Sequence, residues 1–193
     1  MKEMIKKIMN VLFLLFALPL FILYQIESLL IGKEKSFPGI SQFLSLFAGL
    51  SGVYLRRAFY NLSFKKCSWD CYIGFGTIFS HPAAEIARHV YIGTNCTIGD
   101  VSMADYATIG SNVDIMNRGK QHYSDDVNAP IQEQAGEYPK IFIGEDAWIG
   151  NSAVVMANIG KKAIIGAASV VVKDIEDYAI AVGNPAQVIR KRA

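Results

Sequence analysis

Apolar residues follow two different patterns along this chain, and the switch falls near residue 70. From 8 to 26, nineteen residues carry no charge and are dominated by Leu, Phe, Ile and Val. That is about the length a helix needs to cross ~30 Å of hydrocarbon. Lys2, Lys6 and Lys7 precede the run as they would in a signal peptide, but no small-x-small cleavage site follows it. The run therefore predicts an uncleaved membrane helix over 8–31, which Pro19 either kinks or makes shallow and re-entrant. A second uncharged stretch, 36–55, lies beyond Lys33, Glu34 and Lys35 and is diluted by Ser, Gly and Pro. It predicts an apolar or amphipathic helix over 36–60. One arrangement lays that helix at headgroup level, with Phe43, Leu44, Leu46 and Phe47 down and Arg56, Arg57, Lys65 and Lys66 on lipid phosphates. The other is a helical hairpin that enters and returns on one side.

After Cys71 a period of six takes over. Aliphatic residues open successive hexapeptides at Ile73, Ile86, Ile92, Met103, Ile109, Ile143, Ile149, Ile159 and Ile165, usually followed by Gly or Ala. A helix needs a spacing of 3.6 and a simple strand pair a spacing of two, so neither explains it. A chain that turns a corner every six residues does. Three sides close a triangular coil, and stacked coils bury each aliphatic residue in a dry prism while Gly relieves crowding at the corners. The register slips by one between Ile98 and Met103 and by two between Val155 and Ile159, irregularities that loops or bulges absorb. The chain thus divides into a membrane-associated helical region, 1–70, and a β-helical domain with a C-terminal tail, 71–193. One polar excursion, 117–140, interrupts the second part.

Composition narrows the class. Of 193 residues, 52% are hydrophobic and 19% charged, which excludes a disordered or collagenous chain. A net charge of +2 is too small to argue for nucleic acid or another polyanion. Cys67, Cys71 and Cys96 are odd in number and lack metal-pair spacing, so free thiols in a reducing compartment are expected.

The hexapeptides resemble those of the hexapeptide-repeat acyltransferases, a family similar to galactoside, maltose and xenobiotic acetyltransferases. The resemblance covers 71–190 and implies an all-β fold, a left-handed parallel β-helix preceded here by N-terminal membrane-associated helices. The hand is the family's, since parallel crossovers are otherwise right-handed. It also implies acetyl-CoA as cosubstrate, with no tightly bound cofactor and no metal. His122, in the excursion, matches the family's general base, and an imidazole with an ordinary pKa of ~6.5 suits that task at neutral pH. Asp125, Asp126, Glu133 or a backbone carbonyl would orient it.

Asn95, in YIGTNCTI, matches an acceptor-holding asparagine, and is equally read as a corner residue chosen for left-handed geometry. Trp148, in EDAWIG, matches a wall beside the loop. Gly166, Ala167 and Ala168 would admit pantetheine, with Lys173, Arg190 and Lys191 meeting the adenosine phosphates; an ordinary charged tail is the other reading of these basic residues. Gly183, Asn184 and Pro185 read as a turn after the last coil. In the family, base and cofactor groove come from adjacent subunits, which implies a homotrimer.

The same fold hosts zinc hydratases, whose ligands recur about every eighteen residues; His81 and His89 are eight apart and read as turn and corner residues. The expected protein is a membrane-anchored O-acyltransferase facing the cytoplasm, where CoA is, acting on a sugar, polysaccharide or lipid-linked glycan. A catalytically silent scaffold of a glycan-synthesis complex is the alternative of a different class.

Overall fold

A computed structural model describes residues 2–117 and 123–192. Three helices come first: α1 (Lys2–Ile31), α2 (Lys33–Ser45) and α3 (Gly49–Ser63). α1 continues through Pro19. The single helix anticipated over 36–60 is two, because the chain turns after Leu46 and restarts at Gly49, whose φ of 68° belongs to the left-handed region that glycine tolerates.

The helices form layers. α3 is buried almost all round, from Val53 through Leu55–Tyr60 with Tyr54 half-buried, because α1 covers one side and the first turn of the β-structure the other. Aromatic rings make both seams. Phe13 stacks on Tyr54, and Tyr24 meets Phe37 and Phe59 edge-on. On the far side Tyr60 stacks on Phe64 at 4.4 Å, and both meet Phe79 of the first coil edge-on. Each fully buried ring of this size is worth about 1.5–3 kcal/mol.

Two expectations for this region are corrected. Leu44 points into the core and is fully buried, not toward lipid. Arg56 and Arg57 are buried as well and are committed to the protein interior. Arg56 donates from Nη1 to the carbonyls of Leu44 (3.1 Å) and Phe47 (2.7 Å) and from Nε to that of Ile73 (3.0 Å). Arg57 donates to the Cys71 carbonyl and to Asn10 Oδ1, with its guanidinium 4.5 Å above the Tyr54 ring. These arginines donate to carbonyls at the end of α2, in the turn after it and in the first coil, and their burial keeps the guanidinium groups from reaching lipid phosphates. Lys65 pairs with Glu85 at 2.9 Å.

From Lys66 the chain coils into a left-handed parallel β-helix with three sheets. Its first face stacks Cys67, Ile86, Met103, Ile143, Ile159 and Ile175. The second stacks Ile73, Ile92, Ile109, Ile149, Ile165 and Ala181, and the third Phe79, Ile98, Ile115, Val155 and Val171. All of these are less than a tenth exposed. Going from first face to second, or second to third, the step between core residues is always six. From the corner after Ile73 onward, each such corner places its third residue after the core position at positive φ, as at His89, Asn95, Tyr106, Asn112 and Asp146.

The third-to-first corner is different: seven residues from Phe79 to Ile86, five from Ile98 to Met103, and four from Val155 to Ile159 and from Val171 to Ile175. The register slips seen in the sequence are therefore shortened turns confined to one edge. The excursion leaves from that same edge, between Ile115 and Ile143.

Glycine sets the coil spacing where expected. A Cβ on Gly93 would lie 2.6 Å from the Ser111 nitrogen of the next coil, and one on Gly150 would lie 2.5 Å from that of Ala167. The three cysteines are free and buried. Cys67 and Cys71 sulfurs are 3.7 Å apart, and hydrogen bonding to Cys71 together with burial pushes the Cys67 thiol up. Among the described residues α1 is the one helix long and apolar enough to cross a membrane.

Candidate active site

The excursion is fastened at its base. Asn117, 2% exposed, accepts from the Asp100 amide through Oδ1 (2.9 Å) and donates from Nδ2 to the carbonyls of Asp100 (2.9 Å) and Pro139 (3.0 Å). One amide side chain thus joins the outgoing strand, the returning strand and the coil below. Lys140 adds a second fastening, donating to the Ala83 carbonyl (2.6 Å) and lying 3.3 Å from both Glu85 and Asp100 carboxylates. Lys65 and then Lys140 hold the Glu85 carboxyl below its ordinary range.

Beyond the base the described part folds on itself. The Tyr123 amide donates to the Ala135 carbonyl (2.7 Å), and Gln134 Nε2 donates to the carbonyls of Asp126 and Ala129. Tyr123 Oη donates to Glu137, which raises the phenol's pKa. A short 3₁₀ turn spans Ile131–Glu133. His122 lies outside the described residues. Of the carboxylates considered as its partner, Asp126 already accepts from the Asn128 amide; Asp125 and Glu133 are exposed.

The returning limb leads back to the helices. The Tyr138 ring sits 6.0 Å from that of His81, and His81 Nδ1 is 2.9 Å from Glu34 in the first turn of α2. His89 occupies a corner on another edge, stacked on Tyr106 at 4.8 Å.

Asn95 lies at the second-to-third corner of the second coil at φ 56°, the same station as Asn112 one coil on. Its Oδ1 packs over Gly76, where a Cβ would approach it to 1.9 Å. Trp148 projects from the second face between Thr108 and Ile164 and is 53% exposed. Gly166, Ala167 and Ala168 turn the same corner as Asn95, three coils on, and a Cβ on Gly166 would lie 2.7 Å from Val182 Cγ1.

Lys173 is exposed on the irregular edge. After the turn at Gly183, Asn184 and Pro185, whose peptide is cis, Gln187–Lys191 returns antiparallel to Ala179–Val182. Arg190 is exposed there, whereas Lys191 pairs with Glu176 at 2.8 Å, an interaction that raises the lysine's pKa. Within one chain the loop base and Lys173 share one edge, while Asn95 and Gly166–Ala168 share another.

Sequence reasoning passed over the fastening residues Asn117 and Lys140 and the Tyr138–His81–Glu34 contact. The signal for Asn117 was present: a polar residue two positions past a core isoleucine, at the point where the repeat stops.

No family model matches the chain. Chloramphenicol acetyltransferase from Klebsiella aerogenes is 29% identical over 157 residues, 73% of each chain. Among solved structures, a galactoside acetyltransferase in complex with coenzyme A superposes with a TM-score of 0.70 at 26% identity, over 82% of this chain and 80% of that one. A maltose O-acetyltransferase from Clostridium difficile 630 superposes with a TM-score of 0.74 at 21% identity, over 85% and 89%. The matched segments span from 25% to 73% of the length of the first curated relatives.

Proposed function

We propose that this chain, a member of the hexapeptide-repeat acetyltransferase family, moves an acetyl or other short acyl group from acyl-CoA to a hydroxyl of a sugar, polysaccharide or lipid-linked glycan at a membrane surface. The observation that carries this reading is the polar excursion fastened by Asn117 at the irregular edge of a β-helix similar to a galactoside acetyltransferase in complex with coenzyme A. His122 is the general base. It takes the proton from the acceptor hydroxyl while that oxygen attacks the thioester carbonyl, and the thiolate leaves with the proton returned to it. Asn95 positions the acceptor, Trp148 walls the loop, and Gly166, Ala167 and Ala168 admit pantetheine, with Lys173, Arg190 and Lys191 toward the phosphates.

The distribution of these residues over different edges of one coil favours a homotrimer, in which the loop edge of one copy faces the second-to-third corner of the next. Acetyl-CoA is a cosubstrate, and the domain faces the side on which CoA is found. The exposed apolar α1 keeps the enzyme at the bilayer, where a lipid-linked acceptor is concentrated.

The test compares wild type with His122→Ala for CoA binding by calorimetry and for slow release of free thiol from acetyl-CoA. Micromolar binding by both, with thiol release lost in the variant, supports enzyme and base together. If neither protein binds CoA, the enzyme reading falls and a silent scaffold replaces it.

A further inference from the structure

α1 has two unlike faces. Its inner stripe, Phe13, Ala17, Leu20, Phe21 and Tyr24, recurs at helical spacing and packs on α2 and α3. Its outer stripe includes Ile8, Val11, Leu15, Ile22, Leu23 and Leu29, each more than half exposed, and carries no charged residue between 8 and 26. An outward helix face in water is ordinarily polar, so this one requires a nonpolar cover. The surface continues beyond α1: Phe43, Leu46, Phe47 and Leu50 are exposed where α2 turns into α3, and Phe43 and Phe47 line one apolar depression with Phe13, Phe16 and Leu20.

Lysines flank the apolar run. Lys7 stands at one end in a pocket with Trp69 and the Lys6–Asp70 pair, and exposed Lys33 and Lys35 stand at the other with Glu27 and Glu34 close by in sequence. Lysine and tryptophan flanking an apolar surface complement anionic headgroups.

The helix is also tied to the rest of the protein along its length, which decides its orientation. Lys6 pairs with Asp70 of the first coil at 2.5 Å, Asn10 accepts from Arg57, and Ser28 shares a hydrogen bond with Ser36 at 2.8 Å. Were α1 to stand across a bilayer, α3, Asp70 and part of the first coil would be carried into hydrocarbon with it. Non-helical backbone and charges are not accommodated there.

We propose that α1 lies in the plane of one leaflet of an anionic bilayer, with the turn at 46–50 inserted beside it, so that both of its ends and the β-helix stay on one side. The inference rests on the membrane association in the proposed function and replaces a spanning anchor with a flat one. The coils then stack away from the lipid, the first coil nearest. The Tyr138–His81–Glu34 contact runs from the returning limb of the loop to the lipid-side helices.

The experiment uses the full chain with vesicles of phosphatidylglycerol and phosphatidylcholine, and with phosphatidylcholine alone. A fluorophore at Leu18→Cys reports depth through lipids carrying quenchers near the headgroup or near the bilayer centre, and Lys7→Cys and Lys35→Cys report sidedness to an impermeant maleimide. The proposal expects shallow quenching, labelling of both lysine sites from the side of the β-helix, and at least tenfold weaker partitioning of L15E/I22E with its thermal unfolding retained. Deep quenching, or one lysine site protected, overturns the flat placement and leaves membrane association standing. No partitioning by wild type overturns both. Self-association abolished by L15E/I22E, without vesicle binding, assigns the face to a second copy and overturns the proposal.

Discussion

Asn117 is a small part of the molecule with a large mechanical role. Its buried amide serves three backbone groups, and shortening it to alanine leaves those groups unpaired, at a cost of about 1–3 kcal/mol. Asn117→Ala should lower the unfolding midpoint by about 5 °C and expose 123–138 to limited proteolysis, both measurable on one preparation. Glycines separate by environment in the same way. Gly93→Ala forces a Cβ against the next coil's backbone and should destabilise by about 1–3 kcal/mol, whereas a Cβ on Gly39, inside α2, meets nothing within 4 Å. Gly39→Ala should therefore stabilise by about 0.5–1 kcal/mol through helix propensity alone, and denaturant unfolding of the two variants tests both signs.

At the scale of elements, the docking of α1 depends on pH. The hydrogen bond from Lys6 holds the Asp70 carboxyl below its ordinary range. A carboxyl depressed in the folded state adds stability above its unfolded pKa of about 3.9, and that contribution is lost as pH falls through the lower folded value. Asp70 is 37% exposed, so solvent screens the pair and the effect stays local. Protection of amides at the start of α1, taken relative to their intrinsic exchange rates, should therefore fall below about pH 4, and Asp70→Asn should show the same loss of protection at neutral pH.

The helices were less legible in the sequence than the coil. A lack of charge marks apolar surface without saying what covers it, so Leu44 and Phe43, adjacent and equally apolar, end on opposite sides of α2. Arg56 and Arg57 resemble lipid-facing arginines in sequence, and only the folded chain shows that Arg56 serves carbonyls at the turn after α2 and Arg57 the Cys71 carbonyl and Asn10.

At the scale of the whole molecule, the six-residue spacing was readable because each aliphatic residue must stack on its counterpart, a constraint repeated at every coil. The site was readable only as far as the break in that repetition. The break located the excursion, but the residues that fasten it act through contacts between distant coils that spacing alone does not encode. The proposed shared site makes one further prediction. Sedimentation should return three times the chain mass in mild detergent, and mixing inactive His122→Ala with an inactive Trp148→Ala or Asn95→Ala chain should restore partial activity if their sites come from different copies.

Two edges of the coil keep strict count, while the third takes seven, five, four or more than twenty residues without disturbing either neighbour. That edge works as an expansion joint. Residues added between Val171 and Ile175 should be absorbed as slack, leaving later aliphatics in phase. A single residue added between Ile143 and Ile149 has no slack to enter and would turn the positions after it inside out as far as the next joint, between Val155 and Ile159.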